Sequence, residues 1–405
     1  MEDNYGIPIL DIKVHKVISP LGRGAKGVVF LLHTKTESPK EQFLALKVVS
    51  KSSIEEDNAS RRRYNKEYKT IHLEKEILSS LHHPLLPKLQ GLVETERIIG
   101  YAIDYCPGGN LHSLRKKQTE KMFSDNIIRF YAAELVLALE YLHGLGFVYR
   151  DLKPENIMIQ ENGHLMLIDF DLSTKLPVKP PQSIRHTTKQ SAPETNKKKK
   201  QLFRFQKYRN SGISPEDDST TTITVPELAS IPTKSNSFVG TEEYIAPEII
   251  QGNGHDFAVD WWCLGIVLYE MLYGITPFKG TNRKDTFNRI LHKSPCLVGE
   301  TTFLRDLIEK LLEKDPMKRL GIEEIKRHDF FKGVDWELIG KISRPPYLPI
   351  EEEEMKENGE IDVERFVQRV FEEEEMKEKE RTVIDHKKNV QELNQLYEPN
   401  PFLVF

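Results

Sequence analysis

The run Tyr149-Arg150-Asp151-Leu152-Lys153-Pro154-Glu155-Asn156 constrains this chain more than any other stretch. It sets an acid, a base and a metal-capable amide on one short loop at fixed intervals. Asp151 could accept a proton from an attacking hydroxyl, Lys153 could neutralise charge on a migrating phosphoryl group, and Asn156 could hold Mg²⁺ by its amide oxygen. Thirteen residues past Asn156 stands Asp169, after the apolar run Leu165-Met166-Leu167-Ile168. A second oxygen ligand at the end of such a strand is what a nucleotide-bound Mg²⁺ needs. Taken singly, a surface Asp or Lys is ordinarily solvated charge; the ordered set is what carries the reading.

At 405 residues the chain is long for one core, so two or three packing units are expected. A formal net charge of −4 gives no global electrostatic reason to bind nucleic acid, and none is expected as a partner. The three cysteines, Cys106, Cys263 and Cys296, lack metal-ligand spacing. They fit a reducing compartment, each as a small buried hydrophobe. Residues 1–10 have no basic segment leading into a long apolar core, and no apolar stretch reaches ~18 residues. The expectation is a soluble intracellular protein, and a monomer, in the cytoplasm or at the nucleus or cell periphery.

Texture changes along the chain. Val14 to Ile18, Val28 to Leu32 and Phe43 to Val49 read as strands, the first two flanking a glycine loop. A charged stretch leads into a helix over roughly Tyr68 to Leu81, closed by Pro84. From Phe123 onward helices dominate, with apolar stripes at Ile128, Ala132, Leu135, Leu139 and Leu142, and at Leu304, Leu307, Ile308, Leu311 and Leu312. A strand-rich unit followed by a larger helical one implies two lobes with a cleft between them, joined near Ile103 to Gly109. Residues 174–234 are rich in Lys, Ser, Thr, Pro and Asn and read as a disordered insert. Glu351 to Arg381 is dominated by Glu and Lys and reads as a solvated helix or flexible tail.

Gly22-Arg23-Gly24-Ala25-Lys26-Gly27 follows one strand and enters another, so its backbone N–H groups could approach phosphates closely. A dinucleotide site would instead open into a helix. The next strand carries Lys47, and an ammonium inside a strand is costly unless it meets an anion. Lys47 is read as a contact to the α- and β-phosphates, oriented by Glu74 on the following helix. Glu76 is the rival, but Glu74 shares a helical stripe with Leu78, four residues on.

The glycine loop, strand lysine, helix glutamate, Y-R-D-L-K-P-E-N, Asp169-Phe170-Asp171 and Ala246-Pro247-Glu248 occur in an order that resembles the protein kinase fold, over about Val14 to Phe331. Tyr149 where the broad pattern has histidine, Gly240-Thr241-Glu242-Glu243-Tyr244 and Phe402-Leu403-Val404-Phe405 are similar to AGC kinases. The Asp-Phe-Asp triplet and the long insert resemble the plant AGC-VIII group. The resemblance implies an α+β, two-lobed kinase fold: a small β-rich N-lobe over 14–105, a larger helical C-lobe over 106–331 with the insert inside its activation segment, and an AGC C-terminal tail over 332–405. It implies ATP and Mg²⁺ as cofactors and serine or threonine of protein substrates as acceptor. Leu21, Gly22, Gly24, Gly27, Val29 and Ala45 would line the ATP site with Lys47. Ile103 would guard its back, and Asp104 and Cys106 would offer backbone hydrogen bonds to the base. Asp260 would brace the catalytic loop, and Arg319 would pair with Glu248. In this frame Asp151 is the catalytic base, supported by Lys153, and Asn156 and Asp169 hold the metal.

The resemblance also implies regulation. Ser237, four residues before Thr241, is the expected activating phosphorylation site, able to bind Arg150, with Ser235 as a neighbouring rival. Thr241 would hydrogen-bond the Asp151–Lys153 pair. Phe402 and Phe405 would dock a phosphoinositide-dependent kinase that modifies Ser237. Glu155 and Glu270 match substrate-arginine positions, while a third acidic position is Asn110 here. The basic patch Lys197 to Arg209 could meet an anionic membrane surface, act as a nuclear signal or merely keep the insert solvated. Asp171, where most kinases have glycine, is expected to hinder the inactive flip of its segment. Two other readings remain at this stage. A scaffold that binds without transferring phosphate is disfavoured because Lys47, Asp151, Asn156 and Asp169 are all present. A small-molecule kinase is disfavoured by the Ala246-Pro247-Glu248 and Thr241 region.

Overall fold

Alternation in the Phe43–Val49 strand sets up the smaller lobe. Leu44, Leu46 and Val48 bury one face, while Ala45, Lys47 and Val49 point to the other. The computed structural model describes residues 6–23, 27–34, 42–51, 71–118, 120–176, 234–342, 345–347 and 361–370. Gly24, most of the 174–234 insert with its Lys197–Arg209 patch, and Phe402 and Phe405 lie outside the described residues.

Strands β1 (Lys16–Arg23), β2 (Val28–Thr34), β3 (Gln42–Ser50), β4 (Leu89–Glu94) and β5 (Ile98–Asp104) form one antiparallel sheet in the order β1-β2-β3-β5-β4. Register opposes Val29 to Lys47, Lys47 to Tyr101 and Ala45 to Ile103, which aligns these residues on one face. Strand β1 starts at Lys16, and Val14 is exposed. Its register shifts around Pro20, which supplies no N–H to a regular ladder. Helix α1 (residues 71–80) packs Ile77 and Leu78 with Val49 and Ile99 under that face.

The opposite face of the sheet is also covered, by a part of the chain expected to be solvated. Helix α9 (residues 363–370) seats Val363 and Val367 among Val17, Phe30, Leu32, Leu46 and Val48. Phe366 meets Phe30 edge-on at 5.4 Å between ring centroids. The stripe Val363, Phe366, Val367, Val370 has helical spacing, and its burial outweighs the charged composition around it. Residues 7–10 also join the fold: Leu10 N–H donates to Leu92 O at 2.7 Å, and Leu92 N–H to Pro8 O at 2.9 Å. Gly91 permits this edge, since a Cβ there would lie 2.5 Å from the Leu10 side chain.

The larger lobe comprises α2 (Leu111–Lys116), α3 (Asp125–Gly144), α4 (Pro247–Gln251), α5 (Ala258–Tyr273), α6 (Arg283–His292), α7 (Phe303–Leu311) and α8 (Ile322–Lys326). Helix α5 is apolar almost all round and is buried accordingly, between α3 and α7. Short pairs β6 (Phe147–Val148) with β9 (Thr174–Lys175), and β7 (Ile157–Ile159) with β8 (Leu165–Leu167), hold the 149–156 loop from both ends. Arg319 grips the buried Glu248 with two hydrogen bonds, at 2.7 and 3.0 Å. Cys106 and Cys263 are buried as expected, and burial pushes the Cys106 thiol up to about 12; Cys296 is exposed, contrary to expectation. No helix among the described residues is long and apolar enough to cross a membrane.

Candidate active site

The loop between β6 and β7 is held by backbone contacts that its sequence makes possible. Asp260, fully buried at the start of α5, accepts hydrogen bonds from Tyr149 N–H at 2.9 Å and Arg150 N–H at 2.7 Å. Arg150 sits at φ 69°, in the left-handed region that costs a non-glycine residue energy, so these bonds offset local strain. Ile168 N–H donates to Asn156 O at 3.0 Å, tying the loop to the strand that leads to Asp169. Asp169 itself has φ 63°.

Both carboxylate oxygens of Asp151 are engaged. Lys153 Nζ reaches Asp151 Oδ2 at 2.7 Å and Thr241 Oγ1 at 3.0 Å, and Thr241 Oγ1 donates to Asp151 Oδ1 at 2.8 Å. Asn156 Nδ2 donates to Asp151 O and Oδ2, both at 3.0 Å. With its nitrogen so engaged, Asn156 offers its oxygen as the available ligand atom. A neutral amide oxygen together with the Asp169 carboxylate makes a hard oxygen donor set, which fits Mg²⁺.

Across the cleft, Lys47 Nζ lies 2.9 Å from Glu74 Oε2, 3.3 Å from Asp169 Oδ1 and 3.2 Å from Asp171 Oδ1. Glu74 is buried and Glu76 exposed, as the helical stripe predicts. Glu74 also accepts from Phe170 N–H at 3.1 Å, which holds the Asp169-Phe170-Asp171 segment inward. Phe170 is buried against Tyr149 at 5.6 Å between rings, and the Tyr149 hydroxyl bonds Ile168 O. Three carboxylates converge on a single ammonium. Although burial opposes its charge, Lys47 is held well above the ordinary ammonium range by Tyr101, Glu74, Asp169 and Asp171. Burial raises the Glu74 carboxyl despite Lys47, with Asp171 and Asp169 adding to the rise.

Residues 15–204 and 226–331 match the model of the protein kinase domain. The chain belongs to the protein kinase family. It is 58% identical over 370 residues to the serine/threonine-protein kinase OXI1 of Arabidopsis thaliana, covering 89% of this chain and 86% of that protein. The Arabidopsis serine/threonine-protein kinase UCN is 44% identical over 352 residues, 84% of each chain. Phototropin-2 of Oryza sativa subsp. japonica is 41% identical over 349 residues, which is 84% of this chain and 34% of that protein. ATP is the phosphate donor of this family, and proteins are its acceptors.

The kinase site gathers most of the sequence-predicted residues. Lys47, Glu74 and Asp169 meet in one ionic cluster, and Asp151, Lys153, Asn156 and Thr241 in another. Val29 and Ala45 lie directly beside Lys47 and Ile103 in the sheet register, with Gly22 opposite Val29 and Leu21 exposed at the edge. Gly27 packs against Val48 O. Asp104 spends its carboxylate on Lys88 N–H and Gln90, and the Cys106 thiol faces Met166 at 3.6 Å. The substrate-side residues differ. Glu155 is half exposed, 3.2 Å from His112 Nδ1, whereas Glu270 is buried and bound to Arg115 at 2.8 Å and to the Tyr244 hydroxyl. Asn110 caps α2 by accepting from Ser113 N–H at 2.8 Å, which is a structural role. Beside Arg150 the residue in contact is Ser235, not Ser237: Arg150 Nη1 lies 3.1 Å from Ser235 Oγ, and Ser237 is exposed. His255, 3.4 Å from the same nitrogen, gave no signal in the sequence, because nothing in its local pattern marks the arginine it meets.

Proposed function

We propose that the chain is a serine/threonine protein kinase that transfers the γ-phosphate of ATP to hydroxyls of protein substrates in intracellular signalling. The observation that carries this is the closed network Asp151–Lys153–Thr241 facing an intact Lys47–Glu74 pair. Asp151 accepts the proton of the attacking hydroxyl and aims its oxygen. Lys153, already 2.7 Å from Asp151, balances charge on the phosphoryl group as it moves. Lys47, oriented by Glu74, holds the α- and β-phosphates beneath the loop containing Gly22, Gly24 and Gly27. The adenine lies between Leu21, Val29 and Ala45, with backbone hydrogen bonds from Asp104 and Cys106. Asn156 and Asp169 are the residues that would hold Mg²⁺, which when bound would neutralise charge on the phosphate tail. Thr241 fixes the Asp151–Lys153 geometry and stays unmodified.

Substrate choice rests on Glu155, whose carboxylate is accessible. Glu270 can contribute only by sharing oxygens already engaged by Arg115 and Tyr244. Phosphorylation of Ser237 activates the enzyme through Arg150. Phe402 and Phe405 dock an upstream phosphoinositide-dependent kinase, and the basic insert at Lys197–Arg209 favours an anionic membrane surface. Labelled ATP and a degenerate peptide array test the activity. Label on serine and threonine peptides supports it, with basic residues before the target favoured, and absence of transfer under Mg²⁺ refutes it. Deleting Phe402 to Phe405 is expected to lower Ser237 phosphorylation by the upstream kinase, measured by mass spectrometry. An undiminished signal refutes the docking role.

A further inference from the structure

Arg150 presents a buried guanidinium to which no carboxylate is hydrogen-bonded among the described residues. It is 7% exposed, its Nε donates to Leu172 O at 2.5 Å, and its Nη1 meets Ser235 Oγ and His255 Nε2, so among the described residues its guanidinium has only neutral hydrogen-bond partners. Burying a cation is costly, and even though the charge of nearby Asp260 pulls the other way, burial depresses Arg150 to about 10. Opposite it, His255 is 2% exposed, with its ring nitrogen 3.4 Å from Arg150 Nη1. At that contact the neutral ring accepts from the guanidinium. The activation-segment arm is pinned here by a two-way bridge: Ser235 N–H donates to His255 O and His255 N–H to Ser235 O, each at 2.8 Å. Gly254 allows the close approach, at φ +71°, since a Cβ there would stand 2.9 Å from Asn236 Oδ1.

We propose that His255 is a positioning residue that completes, with Arg150, the receptor for a phosphoserine of the activation segment, and that the unmodified Ser235 hydroxyl holds this receptor's place. The inference rests on the reading of Ser237 as the activating site and deepens it. Ser235 Oγ is 3.1 Å from Arg150 Nη1, that nitrogen is 3.4 Å from His255 Nε2, and Ser237 Oγ is 3.4 Å from Ser235 Oγ, so a phosphate ester on either serine arises within reach of the Arg150–His255 pair. Its oxygens accept from the guanidinium and from a protonated imidazole together, replacing a neutral donor–acceptor contact with two charge-assisted bonds. The phosphate stays on its serine; no bond forms or breaks at His255.

The groups facing His255 define its protonation. Burial and Arg150, from the catalytic loop, push the imidazole down, while Glu248 on α4, Asp260 on α5 and the adjacent Asp256 push it up. An arriving phosphate tips this balance toward imidazolium. The imidazolium–phosphate contact loosens as pH rises through the raised His255 value, and it weakens again at low pH where the phosphate, with a second pKa of about 6, takes up a proton.

The test uses the full chain, phosphorylated by an upstream kinase to a stoichiometry checked by mass spectrometry, with His255 followed by histidine-selective NMR titration. Phosphorylation is expected to raise the His255 titration midpoint. His255→Asn and His255→Phe are expected to speed phosphatase release of the phosphate about tenfold, with melting temperature as the folding check. Ser235→Ala and Ser237→Ala arms identify which serine carries the phosphate. An unmoved midpoint in stoichiometrically phosphorylated protein, or unchanged release from folded His255 variants, overturns the proposal while leaving Ser237 activation standing. Full activity of Ser237→Ala overturns that underlying reading instead.

Discussion

Replacing Asp171 by glycine tests whether this side chain keeps the Asp169-Phe170-Asp171 segment inward. Asp171 Oδ1 lies 3.2 Å from Lys47 Nζ, with each side chain 17% exposed. A hydrogen bond between charged groups contributes about 1.5–3 kcal/mol. The Glu74 and Asp169 carboxylates crowd the same ammonium and repel Asp171, so the lower end applies. Glycine also gives the flipped form more backbone freedom, which contributes about 0.5–1 kcal/mol. Together Asp171→Gly shifts the balance toward the flipped form by about 2 kcal/mol, roughly thirtyfold. Calorimetric titration with a ligand that requires Phe170 to leave its buried site is expected to show tightening toward that limit. A nucleotide-site ligand indifferent to the flip should change little. Equal affinity of both proteins for the flip-requiring ligand would refute the reasoning.

Two further outcomes are expected. Val367→Ala removes a fully buried side chain of α9 from the sheet and should cost about 2 kcal/mol in denaturant unfolding; an unmoved midpoint means the helix is not seated there. His164 is buried beside Glu134, whose hydrogen bond raises the imidazole above its ordinary value, and its Nε2 lies 3.0 Å from Ile342 O. Because the folded value is raised, this stabilisation is complete below about pH 6.5 and is lost as pH rises through the folded value. Glu134→Gln should flatten that part of the stability-versus-pH curve, and an unchanged slope argues against the pair.

The parts of the site legible in the sequence were those whose partners are fixed by local spacing or by the order of motifs. Asp151, Lys153 and Asn156 share one loop, and Glu74 was separable from Glu76 because helical geometry turns only one of them inward. Residues whose role depends on a distant partner were not legible. His255 looks like any loop histidine until Arg150 is placed beside it, and Ser235 outranks Ser237 at that arginine only because the bridge to His255 aligns it. Likewise α9 was hidden by the glutamates around its apolar stripe, since composition averages over faces that burial distinguishes. Residues 7–10 join β4 through backbone groups, which leave no side-chain signature.

Phosphoryl transfer by this site requires Asp151 as the group that takes the hydroxyl's proton. The direct measurement is the turnover rate of Asp151→Asn against the native enzyme, on one serine peptide, with nucleotide affinity determined in parallel. If Asp151 takes that proton, kcat falls by about 10²–10⁴ with ATP still bound. A variant that turns over at the native rate would contradict it.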